Sequence, residues 1–161
     1  MKTISMIILA FNLIAAPVSA FEPDEFHLGF ELGGSIEKAQ EHARSRGWTL
    51  RNLSGAFSDD WSVEGANATI YMCDDEIDAV GREFAGGVDE FAIIADKLGW
   101  AMREPRTSVS TSMTDGVRLS YVNTTFKQHD GAGVSVQLAS RDGRTSINTI
   151  IWGPPSGKCH G

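Results

Sequence analysis

A chain of 161 residues, 42% hydrophobic and 22% charged, has the composition of one ordinary globular domain, which excludes long tandem arrays and low-complexity tails. Its formal charge of -7 argues against nucleic acid and acidic membranes as partners, because binding phosphates requires clustered Lys and Arg to displace counterions. Two cysteines allow at most one internal cross-link.

The first twenty residues read as a targeting segment. Lys2 gives a positive start, 4–16 is almost wholly apolar, and Val18-Ser19-Ala20 supplies the small residues of a cleavage site. Residues 1–20 are therefore expected to be a signal peptide and 21–161 a single exported domain, periplasmic or secreted, with no transmembrane segment after cleavage. In an oxidising compartment Cys73 and Cys159 are expected to form a disulfide bond.

Residues 26–32 read as a short strand ending at Gly33-Gly34. Ser35 then offers a side-chain oxygen to cap a helix on which Ile36, Ala39 and Ala43 recur at helical spacing, up to a stop at Gly47. Strand-like runs follow at 48–57, 61–64, 68–73 and 77–84. A second helix starts after Gly86-Gly87, with Asp89 and Glu90 in its first turn and Pro105 barring continuation. Beyond it, runs at 108–113, 117–126, 134–139 and 145–152 are separated by Asp115-Gly116, Asp130-Gly131 and Asp142-Gly143, pairs that accept the positive φ of tight hairpin turns.

At an offset of 52 residues the helices align, Gly47-Trp48 falling on Gly99-Trp100. The chain thus reads as one unit used twice, about 26–85 and 86–153, with a C-terminal tail. The expected fold class is α+β: a two-layer sandwich of tandem helix plus antiparallel β-meander units. Trp48 and Trp100 are expected to be buried where each helix meets its sheet.

This pattern resembles the β-lactamase-inhibitor-protein-like fold. Its opening, Phe30-Glu31-Leu32-Gly33-Gly34-Ser35-Ile36-Glu37-Lys38-Ala39, is similar to small exported domains of that fold, among them the small lipoprotein of the barrel-assembly machine. The resemblance is at the level of the fold. It implies an inhibitor-like protein that engages partners through its sheet.

Chemistry-bearing motifs are sparse. His27, His42, His129 and His160 fall in no metal-ligand spacing, and His42 is placed on the solvent side of the first helix. Asp74-Asp75-Glu76 with Asp78 is the densest acidic cluster, but it lacks the spaced oxygens and glycine of a calcium loop and reads as a hairpin turn. No nucleophile elbow is present. The sequence accordingly points to no catalytic, cofactor or metal site.

Strand parity supplies the expected working surface. Taking Val117, Leu119 and Tyr121 as core-facing leaves Arg118 and Ser120 on the other face, with Gln137, Asn148 and Trp152 beside them as a polar platform with an aromatic anchor. The reading is a non-enzymatic recognition module binding a protein or cell-envelope component through this face. The alternative is a small hydrolase whose acid and base, from Asp74, Glu76, Asp78 and a histidine such as His129, are assembled by the fold.

Overall fold

The computed structural model describes residues 24–53 and 59–155. The targeting segment at 1–20, Cys159 and His160 lie outside the described residues. The elements run α1 (Asp24–His27), α2 (Ile36–Ser45), β1 (Thr49–Asn52), β2 (Trp61–Glu64), β3 (Ala68–Cys73), β4 (Glu76–Ala85), α3 (Val88–Ala101), β5 (Arg103–Thr114), β6 (Val117–Lys127), β7 (Gly133–Arg141) and β8 (Arg144–Trp152).

All eight strands join one antiparallel sheet in the order β1-β2-β3-β4-β8-β7-β6-β5. This corrects the expected balanced α+β sandwich of tandem helix-plus-meander units. Over half of the described residues are in strands and about a fifth in helices. The physical reason is the long pairing of β4 with β8, from Ala79 opposite Trp152 to Ala85 opposite Ser146, which makes the strands one continuous sheet with thin helical cover.

Local chemistry explains most boundaries. Asp115-Gly116 and Asp142-Gly143 form two-residue hairpin loops with both φ positive, the geometry that matches strand twist. Asp74-Asp75 makes a third such turn, with φ of 49° and 66°. The third Asp-Gly pair behaves differently. Lys127 pairs with Gly133 across a five-residue loop in which Asp130 Oδ1 accepts the Ala132 N–H at 3.0 Å.

The segment at 26–32 is not a strand. Leu28 and Gly29 both have positive φ, 56° and 81°, and two successive left-handed residues turn the chain rather than extend it. His42 holds that turn: its Nε2–H donates to the Leu28 carbonyl at 2.9 Å. Its ring meets Phe30 edge-on at 4.9 Å and Trp48 at 6.1 Å, so His42 belongs to an aromatic cluster and not to the solvent face. Ser35 caps no helical N–H. Its hydroxyl instead hydrogen-bonds the Glu37 carboxylate, lowering that pKa below the ordinary value.

Residues directly opposite in an antiparallel ladder point to the same face. Val80, Ile151, Val134 and Phe126 are successive opposite partners and all lie under the helices. α2 closes a core of Phe30, Ala39, Ala43, Val63, Ile70 and Val80, and α3 closes a second of Leu98, Phe126, Val134, Val136 and Ile147. Ile151 packs against both. The helices therefore share one face of the sheet and leave the other open.

The two tryptophans are not equivalent. Gly47 has φ +73° and ends α2, turning Trp48 back onto the first core. Gly99 lies inside α3, so Trp100 stays on a helix surface and is 87% exposed. Phe126→Ala should cost about 3–5 kcal/mol by emptying a filled core site, while Trp100→Ala should change stability by less than about 0.5 kcal/mol. Thermal melts followed by circular dichroism check both, and equal losses would contradict this packing.

Candidate functional site

The open face is organised in cross-strand rows. One row passes through all eight strands as Arg51, Ser62, Thr69, Gly81, Ile150, Ser135, Thr125 and Arg106. Its neighbour runs Glu83, Asn148, Gln137, Asn123 and Ser108 over β4, β8, β7, β6 and β5. Apart from Gly81 and Ile150, these positions carry polar side chains.

The row breaks at Gly81, and the gap is structural. A Cβ there would come within 3.0 Å of the Tyr71 ring and 3.6 Å of Ile150. Without it, Tyr71 and Ile150 wall a hollow in the middle of the sheet. Around it opens a groove of about 650 Å³ whose lining includes Ser62, Thr69, Glu83, Gln137 and Asn148. Its form is a trough rather than a closed pocket, suited to a surface or an extended segment more than to an engulfed small molecule.

The sequence-derived platform divides here. Gln137 and Asn148 are direct cross-strand partners, and both line the groove. Trp152 stands on the same face, opposite Gly133, where its Nε1–H is committed to the Gly131 carbonyl at 3.0 Å. Arg118 and Ser120 lie on the opposite face. Ser120 is opposite Thr111 and Ser140, in parity with the core-facing Val122, Thr124 and Phe126, and Arg118 is opposite the exposed Met113. Parity failed on β6 because apolar residues occur on both its faces. Leu119 and Tyr121 share the open face with Asn123, while α3 covers the face bearing Phe126.

Hydrogen bonding separates the groups on this face. The Ser135 hydroxyl donates to Asn123 Oδ1 at 2.6 Å, and Asn123 Nδ2–H donates to Thr125 Oγ1 at 3.3 Å. The Gln137 and Asn148 amides form no hydrogen bond with another described residue, so each keeps two donors and an acceptor for an outside partner. Glu83 and Glu64 add negative charge, Glu64 sharing a loose 3.8 Å ion pair with Arg51. Such an exposed pair is worth about 0–1 kcal/mol.

The acidic cluster divides between a turn and a cleft. Asp74 and Asp75 occupy the β3–β4 turn, and the cleft of about 140 Å³ lined by Glu76 and Asp78 has Cys73 but no described histidine in its wall. His129 is exposed on the β6–β7 loop. Among the described residues no group of three His, Cys, Asp or Glu is arranged to hold a metal. No disulfide lies within the described residues. Cys73 is buried at the end of β3 and is not a free thiol; its expected partner, Cys159, lies outside the described residues. No described helix is long and apolar enough to cross a membrane.

The sequence matches no protein-family model and no curated relative. An inhibitor-like role therefore has no support from the fold or from these comparisons.

Tyr71 gives this groove a spectroscopic handle. Burial raises its pKa above the ordinary 10.0, and the Asp60 charge adds to the rise. A raised folded-state pKa means that its contribution to stability is complete below the unfolded value and is lost as pH rises through the folded one. An absorbance titration should therefore show a phenolate transition above the ordinary tyrosine range that Tyr71→Phe removes. A raised transition that persists in that variant would contradict the assignment.

Proposed function

We propose that this chain is a non-enzymatic recognition module that binds a protein partner through the open face of its sheet, centred on the groove at Gly81. The observation behind this reading is the adjacent pair of uncommitted, half-buried amides, Asn148 and Gln137, beside a hollow walled by Tyr71 and Ile150. Amides facing a shallow apolar hollow suit hydrogen bonding to backbone and side-chain amides, with an apolar side chain of the partner seated between Tyr71 and Ile150. Glu64 and Glu83 favour a neutral or basic contact surface. Export, read from the first twenty residues, belongs to the same proposal and sets the partner among extracytoplasmic proteins.

Protein binding is favoured over an envelope polysaccharide because the groove offers one apolar hollow rather than a line of exposed aromatic platforms. The test compares capture from an envelope extract by the wild-type chain and by three variants of equal melting temperature. Asn148→Lys and Gln137→Lys should each lose at least about tenfold of a captured protein, about 1.4 kcal/mol, while Arg118→Glu on the opposite face keeps it. Equal capture by all four, or capture of polysaccharide alone, would overturn the proposal.

A further inference from the structure

β5 is one edge of the sheet, and it is unusually unguarded. It is twelve residues long, and every residue from 105 to 114 is exposed. Natural edges are normally blunted by charge, proline, bulges or short length. Here Pro105 and the bulge between Arg103 and Arg106 protect only the beginning, and the following stretch, Thr107-Ser108-Val109-Ser110-Thr111-Ser112-Met113-Thr114, carries no charge. The opposite edge, β1, has four residues, one of them Arg51.

The exposed apolar side chains belong mostly to two neighbouring elements. Six large apolar residues stand exposed among the described residues, and five belong to α3 or β5: Val88, Ile93, Trp100, Val109 and Met113. Val109 and Met113 are opposite Val122 and Arg118, which places them on the helix-bearing face, where α3 contacts β5.

We infer that β5 pairs antiparallel with β5 of a second copy of this chain, about a two-fold axis through Thr111. This register is self-complementary. It sets Thr111 opposite Thr111, Ser110 opposite Ser112, Val109 opposite Met113 and Ser108 opposite Thr114. Hydroxyls meet hydroxyls, and each exposed apolar side chain meets an apolar one, the pairs that stabilise a ladder. All opposed positions share parity, so both copies keep their helices on one face of a sixteen-stranded sheet. A specific interface buries about 800 Å² per partner, more than strand pairing alone supplies, and the apolar surface of α3 broadens the contact. β5 lines no part of the groove at Gly81, which stays open in both copies.

Sedimentation velocity with the full chain at micromolar concentration tests this. The wild type should sediment as a dimer. Thr111→Lys and Thr111→Glu should each sediment as monomers that keep the wild-type far-UV circular dichroism, because like charges are set directly opposite each other. An equimolar mixture of the two variants should restore the dimer. The same substitutions at Thr49, on the opposite edge, should leave the wild-type mass. A wild type that is monomeric, a dimer that survives either Thr111 substitution, or a mixture that stays monomeric would each overturn the proposal.

Discussion

The pairing of β4 with β8 is the constraint on which the rest depends. Its seven opposed residue pairs, from Ala79 opposite Trp152 to Ala85 opposite Ser146, join a strand of the first half of the sheet-forming sequence to the last strand of the second. Strand parity admits no half-measure here, since a slip of one residue would move every side chain of β8 to the other face. As it stands, Val80 and Ile151 face the helices together, and Ile151 bridges the two cores. Glu83, Gly81, Ile150 and Asn148 consequently meet on the open side. The groove exists because this seam runs through its floor.

The energetic burden is uneven across the two faces. Helix-side strand positions are filled by side chains such as Ile70, Val80, Val136 and Ile147, all at 0% exposure, and burial of this kind is the main favourable term in folding. The open face contributes little of it. Its hydroxyls and amides exchange water for protein partners at a small net gain, and Gly81 gives up side-chain contact altogether. Positions that stabilise little can be given over to binding without undermining the fold, which is the physical basis for placing recognition on this side.

The sequence was legible where local chemistry decides and opaque where tertiary cover decides. Asp115-Gly116 and Asp142-Gly143 announced their hairpins because few other pairs accept two positive φ angles. Gln137 and Asn148 were placed on the correct face because β7 and β8 each bury one parity consistently. β6 carries apolar residues on both faces, Leu119 and Tyr121 on one and Val122 and Phe126 on the other, and only the position of α3 decides between them. Arg118 and Ser120 were misplaced for that reason. The Gly-Trp repeat misled similarly: Gly47 ends a helix by its left-handed conformation, whereas Gly99 remains within one, and burial of the following tryptophan depends on that difference. Gly81 gave no signal at all, since the importance of a missing side chain appears only once Tyr71 and Ile150 stand beside it.

The single-sheet account is tested most directly by nuclear Overhauser contacts between the backbones of β4 and β8 in isotope-labelled protein. The account predicts cross-strand contacts linking Gly81 with Ile150, Arg82 with Thr149 and Glu83 with Asn148, in antiparallel order. Contacts that pair β4 with β5, or β8 with β7 alone and nothing across the seam, would contradict it.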